Sequence, residues 1–124
     1  MKEKMLGEND FTKIPNGGAG IEHRLQLLYY GGVNKNKISL NRWVEICSTN
    51  PAKMFGLYPQ KGEIAVGSDA DIVIWNPQLE HTISVETHHM NIDYSMYEGT
   101  KIKGNAETVI SRGEIIIEKN KFVG

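Results

Sequence analysis

Apolar and polar positions change period near the middle of this 124-residue chain. Before residue 57 the apolar residues recur at helical spacing. Ile21, Leu25, Leu28 and Tyr29 fall at i, i+4, i+7 and i+8, which predicts a helix over 21–30 with Gly31 as its stop. Ser39 can cap a second helix whose apolar face holds Leu40, Trp43, Val44 and Cys47. Thr49-Asn50-Pro51 interrupts that pattern, with Asn50 as N-cap and Pro51 as first residue of a short third helix ended by Gly56. From Gly62 the period is that of strands. Residues 63–66 and 71–75 flank Gly67-Ser68-Asp69-Ala70, a hairpin-like turn, and Asn76-Pro77 stops the second of them. A weaker strand is expected over 81–85. Short strands follow over 101–103, 107–111 and 114–118, the last two joined by a tight Arg112-Gly113 turn. Residues 1–10 and 86–99 have no period, and Phe11 to Gly20 is a loop built on a Pro15-Asn16-Gly17-Gly18 turn.

Helices first and strands second suggest an α+β chain, or pieces of two domains. The second reading is favoured. The helical half has no sheet of its own to cover, and the strands have edges that need partners. Trp43, Trp75, Phe55 and Leu57 are expected in the core. Tyr94 and Tyr97 serve either the core or a subunit contact.

Composition narrows the class. Hydrophobic residues at 40% and charged residues at 23% fit a soluble globular protein. Lys+Arg 14 against Asp+Glu 15 leaves a net charge of −1, so nothing draws the chain to nucleic acid or to an anionic membrane. Cys47 stands alone, which rules out an internal disulfide and fits a reducing compartment. No apolar run reaches the ~20 residues of a bilayer span, and MKEKMLGEND has no apolar signal core. The expected location is the cytoplasm.

The titratable residues offer little chemistry on their own. His23 lies on the first expected helix and His81 begins a strand. His88 and His89 are adjacent, so in extended backbone they face opposite ways. All four read as surface or hydrogen-bonded histidines, not as a metal set. Asp69 and Asp71 bracket a turn, where aspartate binds nearby backbone N–H groups. Cys47 reads as a buried thiol. Asn50 reads as a capping residue, since the third place of a glycosylation pattern is filled by Ala52.

Three segments carry a further signal: FTKIPNGGAGIEHR (11–24), STNPAKMFGLYPQKGEIAVGSDADIVIWNP (48–77) and THHMNIDYSMYEG (87–99). The ADIVIW strand alone resembles that of many amidohydrolases. The three together resemble the bacterial dihydropyrimidinases and D-hydantoinases, over nearly the whole chain from about Asn9 to Gly124.

That resemblance implies a (β/α)8 barrel with a small β-sandwich beside it. Residues 1–57 would be the terminal loop and helices of the barrel, and 58–124 the C-terminal half of the sandwich. It implies hydrolysis of a cyclic ureide, a dihydropyrimidine or hydantoin, to an N-carbamoyl amino acid. It also implies two divalent metals, commonly zinc, bound with a carboxylated lysine among the ligands and activating a bridging hydroxide. No residue here matches a metal ligand of the family, so the chain reads as a fragment that is inactive alone. Asn16 matches the asparagine that holds the substrate's ring amide, largely through main-chain groups, in a loop after the last barrel strand; Gly17 shapes the same loop. The family assembles as dimers or tetramers. Two competing readings are a metal-free, non-catalytic scaffold relative that works by oligomerising, and an autonomous small binding module.

Overall fold

The computed structural model describes residues 5–124. After a short 3-10 turn at Phe11–Lys13, helix α1 (Arg24–Leu28) runs straight into a wider π turn at Tyr29–Val33. Gly31 therefore does not stop the helix. The amide of Asn34 reaches back five residues to the carbonyl of Tyr29 (3.0 Å), and the chain leaves the helical path at Asn36, φ 55°.

The second helical run begins where the sequence places its cap. Ser39 Oγ accepts from the Arg42 amide at 3.1 Å and opens α2 (Leu40–Val44). The expected break at Thr49-Asn50-Pro51 is absent. A π turn at Glu45–Thr49 carries α2 directly into α3 (Asn50–Met54), and Asn50 itself is helical, φ −67° and ψ −45°. Proline has no N–H and its ring crowds the carbonyl four residues back, here that of Cys47. Widening the turn just before Pro51 relieves that crowding, with the Asn50 amide bonding to Glu45 O. Gly56 does end the run. The amide of Gly56 bonds to Lys53 O (3.2 Å) and that of Leu57 to Ala52 O (2.8 Å), a Schellman closure.

Four antiparallel strands follow in the order β1 (Ile72–Thr82), β2 (Lys101–Ser111), β3 (Glu114–Glu118) and β4 (Lys121–Phe122). The sequence divides the strands too finely. Pro77 does not stop β1, because it sits where the register with β2 slips between Asn76 and Glu80, and a bulge needs no N–H from proline. The expected strands at 101–103 and 107–111 are one strand bent at Gly104. Residues 63–66 are not a strand. β1 pairs only with β2, and Ile64 and Val66 point outward at 84% and 109% exposure. Arg112-Gly113 joins β2 to β3 as expected, and Lys119-Asn120, with φ 49° and 63°, makes a second two-residue turn into β4.

Helices and sheet meet at an aromatic cluster. The rings of Tyr29, Trp43 and Trp75 pack with centroids 4.9 to 5.2 Å apart. Such pairs contribute about 0.5–1.5 kcal/mol each beyond the area they bury. Trp75 is half-buried, and Ala19, Ala52, Ile83 and Ile102 join Tyr29 and Trp43 in the buried apolar set. Phe55 and Leu57 do not belong to it. Phe55 is 78% exposed. No helix among the described residues is long and apolar enough to cross a membrane.

Candidate functional site

The Asn16 loop is shaped from its near end. The Asp10 carboxylate caps the Phe11–Lys13 turn by accepting from the Thr12 amide (3.1 Å) and hydroxyl (2.6 Å), with Lys13 Nζ 3.3 Å away. These bonds hold its pKa below the usual carboxylate range. The chain then passes through Asn16 and Gly17, both exposed. Gly17 has φ 86°, and a Cβ there would meet nothing within 4 Å. The glycine is needed for the backbone direction and not for room.

The far side of this loop rests on residues 84–99. That segment leaves and rejoins the sheet at one neck. Ile83 N donates to Thr100 O (3.0 Å) and Gly99 N to Ile83 O (2.9 Å), while the Ile83 side chain is fully buried. Glu98 Oε2 accepts from the Val85 amide (2.8 Å) inside the neck. The result is a closed Ω-type loop. It touches the Asn16 loop and its continuation at successive points. A Cβ on Gly18 would lie 2.4 Å from Met96 Sδ, and one on Gly20 3.0 Å from the Tyr97 ring. Glu22 grips His89 twice, accepting from its amide (2.7 Å) and facing its Nδ1 (3.0 Å). Burial works against the charge on Glu22, but those contacts outweigh it and keep the pKa low.

Beside this grip lie three imidazoles. His23 is buried at 4% exposure, with the His88 ring edge-on at 6.5 Å. His88 Nδ1 accepts from the Met90 amide (3.0 Å), which leaves any ring proton on Nε2. His23 Nδ1, His81 Nδ1 and His88 Nε2 are all buried without a hydrogen-bond partner. Burial pushes the pKa of His23 and of His81 down. The sequence reading of surface or hydrogen-bonded histidines fails for His23. Its burial comes from residues more than fifty positions along the chain, which local periodicity cannot register.

The remaining candidates have structural surroundings. Asp69 and Asp71 both pair with Lys61 Nζ, the first at 2.9 Å, and Asp71 Oδ1 also accepts from the Arg112 amide (2.8 Å). Lys61 draws both carboxylates down in pKa, and they draw Lys61 up. Cys47 is half-buried and its thiol pKa is raised by that burial. It lines an apolar groove of about 550 Å³ with Trp43, Val44, Phe55, Ile64 and Trp75. Among the described residues no group of three or more His, Cys, Asp or Glu is arranged to hold a metal ion. The residues present do not fit a binuclear metal centre, and no step through one can be derived from them.

The sequence pattern of the amidohydrolase family matches residues 10–116, and the chain belongs to that family. Within it the likeness is to D-hydantoinases and dihydropyrimidinases. The chain is 53% identical over 122 residues to a D-hydantoinase of Geobacillus stearothermophilus, covering 98% of itself and 26% of that protein. It is 49% identical over 120 residues to a dihydropyrimidinase of Rattus norvegicus, covering 97% of itself and 23% of that protein. The solved D-hydantoinase of a Bacillus sp. AR9 superposes with a TM-score of 0.94 at 56% identity, over 98% of this chain and 27% of that one. The chain thus spans about a quarter of the length of the relatives it matches.

Proposed function

We propose that this chain is the C-terminal portion of a cyclic amidohydrolase that opens dihydropyrimidine or hydantoin rings to N-carbamoyl amino acids. In this reading residues 1–57 close a (β/α)8 barrel, and residues 58–124 form the C-terminal half of a small sandwich. The Asn16–Gly17 loop lies against the ring amide of the substrate through its main chain. Two divalent metals, with a carboxylated lysine, are held by residues outside this chain. The assembled enzyme is a cytoplasmic dimer or tetramer. One observation carries the reading: identity of 53% is sustained over 98% of the chain while reaching only 26% of the relative. The apolar groove beside Cys47 and the outward Phe55 and Ile64 agree with it, since such surface is normally covered.

The experiment is a chimera. This chain replaces the stretch it matches in the Geobacillus D-hydantoinase, and ring opening of hydantoin and dihydrouracil is followed with zinc or manganese supplied. The chimera is expected to hydrolyse both, and the 124-residue chain alone neither. Turnover by the isolated chain, or a folded, metal-loaded chimera with no turnover, would refute the proposal.

A further inference from the structure

Three imidazoles gather where the Ω loop 84–99 lies against the start of α1, and each has a buried nitrogen with no hydrogen-bond partner: His23 Nδ1, His81 Nδ1 and His88 Nε2. They come from three elements. His23 precedes α1, His81 lies on β1 and His88 on the loop. His23 is 4% exposed, its ring is 6.5 Å from that of His88, and its charge is felt at His81. While the rings are neutral, the cluster costs only unmade hydrogen bonds. Protonated, it would hold cations side by side and out of water. His88 adds a geometric constraint. Its Nδ1 accepts from the Met90 amide (3.0 Å). A second proton on that ring has to go to Nδ1, where it would face the amide donor. Acid therefore breaks the His88–Met90 bond as well as charging the cluster.

The surrounding charges do not rescue it. Glu22 favours a proton on His23 and His88 opposes one, while at His81 the opposing charge is that of His23. Arg24, next to His23, acts on Cys47. On β2 the register sets Ile102 opposite His81, with Lys101 and Lys103 on either side. Of the loop's carboxylates, Glu86, Asp93 and Glu98, the last is taken up by the Val85 amide. Glu22 also pairs with His89, a contact that acid strengthens by charging His89, but that side chain is 86% exposed and solvent screens the pair.

We propose that His23, His81 and His88 form an acid-sensitive latch that holds residues 85–92 of the Ω loop against the start of α1, closed while the rings are neutral and released as they take up protons. Burial keeps His23 and His81 below the ordinary histidine pKa of about 6.5, which the rings regain when the loop parts and water enters. The released form binds protons more readily, so the latch is fully closed above about pH 6.5 and weakens as pH falls below it. Release is local. The packing of Met96 on Gly18 and of Tyr97 on Gly20 carries no charge, and the neck bonds between Ile83 and Gly99 and between Ile83 and Thr100 are backbone only. The freed stretch adjoins the Asn16–Gly17 loop. An effect on substrate binding rests on the role proposed for that loop, and the latch itself does not.

The test follows hydrogen exchange from about pH 8 to about pH 5.5, residue by residue in the 124-residue chain and over 85–92 in the chimera, as protection relative to the unstructured rate at each pH. Protection of the His89 and Met90 amides is expected to fall about tenfold or more, the effect of one pKa unit, while residues 40–54 and the neck amides of Ile83 and Gly99 change less than about twofold. His88→Asn keeps an acceptor near the place of Nδ1 but takes no proton; combined with His23→Gln it should make protection nearly independent of pH. Glu22→Gln probes the latch without touching its rings, and should move release to higher pH. Protection at 85–92 that stays flat, that falls in step with 40–54, or that still falls in the double variant overturns the latch. In the chimera, KM at about pH 6 is expected to exceed that at pH 8 by about threefold or more, and the double variant to lose most of that rise. If release is seen and KM does not follow it, the latch stands and the substrate role of the Asn16–Gly17 loop falls.

Discussion

Gly104 is a position where one added methyl group should do heavy damage. It lies in the bend of β2 with φ 103°, beneath the aromatic cluster. A Cβ there would sit 2.5 Å from Tyr29 Cδ1, 2.6 Å from Tyr29 Cε1 and 3.1 Å from Trp75 Nε1. Left-handed backbone costs an alanine about 1–2 kcal/mol. Forcing a methyl into a packed site costs about 1–3 kcal/mol more. Tyr29 cannot swing aside cheaply, because it is held between Trp43 and Trp75 at 5.2 and 5.0 Å. Gly104→Ala is therefore expected to lower stability by about 2–5 kcal/mol, a large share of what a domain of this size possesses. Urea unfolding read by tryptophan fluorescence measures it directly, since the chain's 2 tryptophans, Trp43 and Trp75, both belong to the cluster. Gly113→Ala is the control. It has φ 88° with nothing within 4 Å of a new Cβ, so it carries backbone strain alone. If the two variants unfold within about 0.5 kcal/mol of each other, the steric part of the argument is wrong.

Three further outcomes are expected. His23 and His81 have pKa values lowered by burial, with the Glu22 charge opposing that at His23 and the His88 and His23 charges adding to it at His23 and His81 respectively. The unfolded chain then binds the extra protons first. Stability is full above the ordinary histidine value of about 6.5 and falls as pH drops below it, which unfolding midpoints at successive pH values report. His23→Gln should flatten that slope, and a midpoint that rises on acidification would contradict the assignment. Asp69 and Asp71, whose pKa values are lowered by Lys61, add a separate loss at lower pH, as the carboxylates are protonated. Ile83→Ala removes a fully buried side chain at the neck of the Ω loop and should cost about 2–5 kcal/mol in the same urea assay.

The local rules of the chain were legible wherever they depend on neighbours in sequence. Ser39 caps its helix, Gly56 closes one, and Arg112-Gly113 turns between strands, because each of these acts within a few residues. What escaped was decided by distant partners. Pro51 and Pro77 read as breaks, yet a π turn and a bulge absorb them, since tertiary packing of Trp43 and of the β1–β2 pair holds the chain on course. Gly104 looked like a gap between two short strands, and its real reason is the Tyr29 ring lying on it. The Asn16–Gly17 loop was visible as a turn. The packing of Met96 and Tyr97 against Gly18 and Gly20 was not, because those side chains lie more than seventy positions away in a stretch with no periodicity.

The apolar positions that misled the sequence reading share one property. Ile21 and Leu28 follow a helical pattern, Phe55 and Leu57 were expected in the core and Ile64 and Val66 in a strand, and all are exposed. Apolar side chains left uncovered in this way are what results when the covering surface belongs to another part of the protein. This makes Phe55 a sharp discriminator. In the isolated chain Phe55→Ala removes a side chain that is 78% exposed and should change stability by no more than about 0.5 kcal/mol. In the chimera with the larger body of the Geobacillus enzyme the same side chain should be buried, and its loss should cost about 3–5 kcal/mol. Equal effects in the two settings would mean that the outward face has no partner in the hydrolase, and the reading of this chain as part of a larger barrel would lose its physical basis.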